Sequence, residues 1–183
     1  LKTLRFHNPI CNASGVYSKT GEELLEMFLS RSGSIITKSS TLTKRNGNPH
    51  PAYWEDDKIS INSMGLPNHG HKYYCDFIKE MPRGEKHCFM SIANVDNNDT
   101  AKVLTYIQDK SYISYPEINV SCPNIPGKEQ LGYNTLELDR FLDIVDKHYK
   151  KPYGLKMPPY FDPVHIANVS EVILRHPNIH YLT

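Results

Sequence analysis

The sequence predicts an α/β protein, specifically a (β/α)8 barrel of which about six of the eight strands are present. Two observations carry this. Short apolar runs alternate with amphipathic helical segments along the whole chain, a pattern that means parallel strands joined by helical crossovers. No GxGxxG follows the first strand, which weakens the other parallel architecture, the dinucleotide-binding doubly wound sheet. A barrel typically needs about 250 residues. The 183 residues here stop at Thr183, inside what reads as a strand. We therefore read residues 1–183 as a single barrel domain, truncated at its C-terminal side.

A short apolar segment at Pro9–Ala13 is the first expected strand. Thr20, with Glu23 three residues on, forms a capping box for a helix whose apolar face is Leu24, Leu25, Phe28 and Leu29. GSIITKSST is a β-branched strand, and Pro67 to Lys79 reads as the second helix. Cys88–Ala93 is the third strand. Asp99 to Lys110 is a helix with Val103, Leu104 and Ile107 on one face. EINVSC is a strand ending at Cys122, followed by an amphipathic helix from Leu136 to Tyr149. YGLKMPP is a strand stopped by prolines. Asp162 caps the next helix, with Pro163 at its first position, and IHYLT begins the sixth strand.

Composition excludes several classes of function. The net charge of +1, from 21 basic and 20 acidic side chains, gives no electrostatic case for nucleic acid or membrane surfaces. No apolar run approaches the roughly 20 residues of a membrane helix. The start LKTLRFHNPI lacks the long apolar stretch of a signal peptide. Cys11, Cys75, Cys88 and Cys122 form no CxxC pair and fit no zinc spacing, so no metal site is expected. Reduced thiols in a cytosolic protein are the better reading. The first three lie in apolar contexts, as small core residues do.

Barrel enzymes place their chemistry at the C-terminal ends of the strands. Here those ends are polar one after another: NASG (12–15), TKSS (37–40), SIAN (91–94), then Asn119, Ser121, Cys122 and Asn124, then Lys156. One strand-end lysine ordinarily just reaches solvent. The repetition argues for two lysines and several amides converging on one mouth. The segment from Thr41 to Asn68 is too long for an ordinary connection, and INSMGLPN within it carries a Gly65–Pro67 turn. Such excursions at a barrel mouth tend to be functional, whereas KRNGNPHP (44–51) also fits a solvated surface hairpin. The polar, glycine-bearing stretch after Cys122 fits a lid.

Together NASG, ITKSST, INSMGLPN, INVSCPNIPGKEQ and GLKMPPYFD resemble, in order along the chain, the soluble class 1A dihydroorotate dehydrogenases. The resemblance implies an FMN-binding (β/α)8 barrel, a cytoplasmic homodimer, oxidation of dihydroorotate to orotate in pyrimidine synthesis, and fumarate as electron acceptor. It implies that Cys122 is the base that removes a proton from C5 of the substrate. A thiol, which ionises near pH 8.5 in water, can serve once its surroundings tune it. It implies that Ala13, Ser14 and Gly15 let the backbone approach the flavin, joined by Ser39, and that Lys38 sits between flavin and substrate. Lys156 would contact the flavin's N1–C2=O edge. Asn62, Met64, Gly65, Leu66, Asn119 and Asn124 would hold the pyrimidine, with Asn119 also near the flavin and Asn68 a secondary candidate.

Other readings stay open on the sequence. Class 1B enzymes, which reach NAD through an iron–sulfur partner, share the cysteine. Lys38 or Lys156 could form a Schiff base, as in barrel aldolases. The chain could also be a non-catalytic interaction module.

Overall fold

The computed structural model describes residues 6–82, 84, 86–122, 127 and 129–183. The first strand of its main sheet, β1, is Ser34–Ile36, and an antiparallel hairpin of β2 (Tyr53–Glu55) and β3 (Ser60–Asn62) follows. Next come β4 (His87–Ala93), β5 (Tyr115–Asn119), β6 (Tyr153–Lys156) and β7 (Ile179–Leu182). The helices are α1 (Gly21–Leu29), α2 (His71–Glu80), α3 (Asn97–Ile107), α4 (Thr135–His148) and α5 (Pro163–Leu174).

Strands β1, β4, β5, β6 and β7 lie side by side in that order, all parallel. Spatial order equals chain order, with no reversal. Right-handed crossovers then put every helix on the same face of the sheet. The doubly wound alternative requires a reversal and is excluded. The other face can be covered only by the sheet curling on itself, which is the topology of a barrel.

Side-chain alternation follows this division. Ile35, Cys88, Met90, Ile92, Ile118, Tyr153 and Leu155 pack outward with Leu24, Phe28, Tyr74, Ile78, Leu104, Leu138, Phe141 and Val145 of the helices. Ile36, Phe89 and Tyr115, one position out of phase, form a separate inner cluster closed by Tyr181. Gly154 makes room for this layer: a Cβ there would lie 2.1 Å from the Tyr181 ring.

Several elements have their expected chemistry. Thr20 Oγ1 accepts from Glu23 N at 3.3 Å while the Glu23 carboxylate accepts from Thr20 N at 3.1 Å, closing the capping box. Asp162 caps α5 ahead of Pro163.

Others differ. The first expected strand is present only as a single parallel bridge, Cys11 to Ser34, with Gly33 N donating to Ile10 O at 2.8 Å. Cys11 is exposed there, whereas Cys75 and Cys88 are buried as expected. Leu25 and Leu29 of the expected apolar face are exposed, and α1 buries only Leu24 and Phe28. Helix α2 starts at His71 rather than Pro67, because residues 67–70 belong to the preceding turn and Gly70, at φ 85°, is the N-cap. Helix α3 starts at Asn97, two residues early, because Asp96 Oδ1 accepts from Asp99 N at 3.0 Å. The hairpin expected at residues 44–51 lies instead at β2 and β3, exposed on both faces.

Candidate active site

Lys38 and Ser39 owe their positions to a break in β1. Ladder bonding passes from Thr37 N–Phe89 O (3.1 Å) to Ser40 N–Ser91 O (2.9 Å) and Ala93 N–Ser40 O (2.9 Å). Between them the chain leaves the ladder, and Lys38 N donates to Ser18 O at 2.8 Å instead. Two consecutive side chains thereby become available beyond the strand end, where regular alternation would offer one.

Ser39 is the hub of a buried polar network. Its Oγ lies 3.0 Å from Ser14 Oγ and 2.9 Å from Ser91 Oγ, and it accepts from Asn119 Nδ2 at 3.0 Å. Asn119 Oδ1 in turn accepts from Ser121 N at 3.0 Å, fixing the strand end that leads to Cys122. Four strands' worth of sequence meet at one hydroxyl. Among the described residues, Asn119 has one N–H and one lone pair left to offer a ligand.

Two cations border this network. Lys156 Nζ donates to Ser14 O at 2.6 Å, and Lys38 Nζ donates to Gly15 O. Burial lowers the Lys38 ammonium's hold on its proton, and the charge of Lys156 lowers it further; Cys122 and Glu23 act the other way. Cys122 is therefore within electrostatic reach of Lys38, half-buried at the end of β5. Above Gly15 the space is open, since a Cβ there would touch only Ala13 O at 3.7 Å. A flat polar heterocycle that gains negative charge on reduction fits this set: open backbone at 13–15, two ammonium groups and a free amide edge.

Asn62, Met64, Gly65 and Leu66 lie on the returning arm of the long excursion. Gly65 (φ 69°) and Leu66 (φ 58°) take consecutive left-handed conformations, and Leu66 is the sole non-glycine residue to do so among those described. Gly65 is required here, because a Cβ would meet Asn48 Oδ1 at 2.3 Å. This strained turn is anchored by Asn68, whose side chain bonds Thr41 N (3.2 Å), Thr41 Oγ1 (3.0 Å), Leu66 O (2.9 Å) and Gly70 N (2.8 Å). Asn68 is fully buried and its groups are spent on the loop, which corrects its secondary assignment to substrate. Thr41 lies three residues past Lys38, so the anchor ties the arm to the strand end bearing that lysine. Asn62 is exposed. Asn124 lies outside the described residues.

Two participants were not among the expected site residues. Ser91 belongs to a polar strand end but had no assigned role, and it is part of the hub. Glu117 sits inside the barrel beneath the mouth; an acidic residue in a strand buried along its whole length is the signal that could have found it.

Comparison with known proteins shows the family and the fold. A sequence profile of the family described as dihydroorotate dehydrogenase matches residues 1–182. A Streptococcus equi subsp. equi protein named "Putative dihydroorotate dehydrogenase A (fumarate)" is 44% identical over 179 residues, 97% of this chain and 58% of its own length. A like-named protein of Streptococcus pyogenes serotype M3 is 41% identical over 174 residues, 94% of this chain and 56% of its own. The chain thus spans somewhat more than half the length of these relatives. A crystal structure of DHODH from Eimeria tenella in complex with ferulenol superposes with a TM-score of 0.78 at 18% identity, covering 98% of this chain and 56% of that one. The ligand-free type from the same organism gives 0.78 at 19%, covering 96% and 57%. At that identity the likeness concerns the fold, that of a (β/α)8 barrel present here in part.

Proposed function

Because the chain belongs to the dihydroorotate dehydrogenase family, we propose that it is the FMN-binding barrel portion of an enzyme that oxidises dihydroorotate to orotate in pyrimidine synthesis, with fumarate as electron acceptor. The observation that carries the reading is the pairing of Lys38 and Lys156 on the consecutive carbonyls of Gly15 and Ser14, beside the Ser39–Asn119 hub. Residues 1–183 act as one such domain.

When bound, FMN supplies a hydride acceptor for C6 of the substrate. The chain's own groups do the rest. Ala13, Ser14 and Gly15 offer a flat backbone approach, and Ser39 and Asn119 hold the adjoining edge. Lys156 places its charge at the pyrimidine edge of the ring system, and Lys38 places its charge between the two reactants. Both charges favour the more anionic product state. Cys122 stands on the strand end that Asn119 fixes, and it takes the C5 proton. Asn62, Met64, Gly65, Leu66, Asn119 and Asn124 orient the substrate, with the arm's shape held by Asn68.

Fumarate is the acceptor in the relatives' names. The hairpin's cross-strand pair Trp54 and Ile61 is exposed on one face of the ribbon, an apolar surface suited to a second copy, in keeping with a homodimer. No helix among the described residues is long and apolar enough to cross a membrane, and we read the enzyme as cytoplasmic.

The test is single-turnover flavin reduction by dihydroorotate in wild type and Cys122→Ala, followed by reoxidation with fumarate or NAD. Slowing of the reductive step by roughly 10²-fold or more in the variant is expected of a lost base. Equal rates would refute the assignment, and reoxidation by NAD in preference to fumarate would move the chain to class 1B.

A further inference from the structure

Glu117 is fully buried, the one acidic side chain in that state among the described residues. It lies opposite Ser91 on β4 and Gly154 on β6, two residues before Asn119, whose partner on β6 is Lys156. Period-two alternation puts Glu117 on the same inner face as Asn119, one layer deeper. Its Oε2 accepts from Thr183 Oγ1 at 3.1 Å, and its Oε1 has no hydrogen-bond partner among the described residues. From below it is closed off by the aromatic layer of Phe89, Tyr115 and Tyr181, with ring centroids 5.6–6.2 Å apart. The Tyr181 hydroxyl is itself buried without a partner among the described residues.

Such a carboxyl is expensive. An interior acid with an unmatched oxygen destabilises the fold, and an apolar residue or an amide would serve packing as well. Burial pushes its proton affinity up; the strongest opposing influence is Lys156, ahead of the hydroxyls of Thr183 and Ser91. Lys156 is also the group whose ammonium rests on Ser14 O at the mouth. Burial, and after it the charge of Glu117, pushes the Tyr181 hydroxyl's proton affinity up. Among the described residues, Lys156 is the cation that acts on the acid, and it belongs to the proposed flavin site.

We propose that Glu117 is a positioning residue: its carboxylate is the counter-charge, one layer below the mouth, that holds Lys156 in place and sets how strongly the site favours an anionic over a neutral ring. The inference rests on the flavin reading above. Removing the negative charge leaves the mouth more positive, so the reduced flavin gains relative to the oxidised one.

The test is the midpoint potential of the bound flavin in the full-length protein, by anaerobic dye-coupled titration. Glu117→Gln, which keeps the shape and removes the charge, is expected to favour reduced over oxidised flavin by about tenfold, or about 30 mV for a two-electron couple. Glu117→Asp, which keeps the charge, should recover most of the wild-type value. In a Lys156→Gln background Glu117→Gln should change little. An unchanged potential, or an equal shift without Lys156, overturns the proposal. If Glu117→Gln does not retain flavin, Thr183→Val takes its place: losing the hydroxyl that donates to Oε2 favours the neutral carboxyl and should raise the potential, and no rise overturns the proposal. A wild-type protein without flavin contradicts the functional reading and this inference with it. A wild-type flavoprotein whose potential ignores Glu117 contradicts the inference alone.

Discussion

Lys38 and Lys156, carried by strands β1 and β6 that are not neighbours in the sheet, set their ammonium groups on adjacent peptide carbonyls, Gly15 and Ser14. Like charges are brought together only where a fold gains something by it. The carbonyls satisfy the ammonium protons, and the segment 13–15 becomes the floor of a doubly cationic mouth.

This arrangement costs stability, and the sign can be tested. Burial and Lys156 hold the folded-state pKa of Lys38 below the ordinary 10.5. The native state therefore gives up this proton before the unfolded state does. The penalty is in force at neutral pH and is relieved as pH rises from the folded value toward 10.5. Lys38→Met should be more stable than wild type at pH 7, with the difference narrowing as pH approaches 10.5, while flavin reduction falls by roughly 10²-fold or more. Urea unfolding across that pH range checks the first part; a difference that widens with pH would contradict it.

Ser39→Ala removes the hydroxyl shared by Ser14, Ser91 and Asn119. Leaving those buried groups short of a partner should cost about 1–3 kcal/mol. Ser121→Ala, whose Oγ makes only a long 3.4 Å contact to Gln130 among the described residues, should stay within about 0.5 kcal/mol. Denaturant midpoints of the two variants test the contrast.

Glu117 titrates in the opposite sense from a surface carboxylate. Burial raises its folded pKa above 4.5. Below pH 4.5 it is protonated in both states and carries no charge penalty. As pH rises through the folded value, stability is lost relative to a neutral side chain. Glu117→Gln should match wild type most closely in acid and exceed it above, which thermal melts at several pH values will read.

Gly65→Ala should fail for two reasons at once: φ 69° and a Cβ 2.3 Å from Asn48 Oδ1. The backbone term alone is about 1 kcal/mol or more. Because the displaced arm bears Met64 and Leu66, the apparent affinity for dihydroorotate should drop further than stability does. Parallel measurement of orotate binding and melting temperature distinguishes the two effects.

The parallel alternation and the two lysines were legible in the sequence, because strand ends are marked by a change from apolar to polar residues at a fixed period. The hairpin was not. Tyr53, Trp54 and Ile61 are exposed on a ribbon with no buried face, so no alternation announces it. Helix α2 was placed too early because Pro67 imitates a first helical position; the left-handed Leu66 and the Asn68 anchor, which hold the turn open, are set by contacts to residues 41 and 45 that lie far back in the chain. Leu25 and Leu29 have helical spacing but are exposed. At the site, the hub role of Ser39 depends on residues 25, 52 and 80 positions away, which local patterns do not connect.

The most direct test of the central claim is the visible absorption spectrum of the full-length protein, before and after anaerobic addition of dihydroorotate. The account predicts a yellow protein with flavin bands that bleach on addition of the substrate. A colourless protein, or a yellow one that dihydroorotate leaves unchanged, would contradict it.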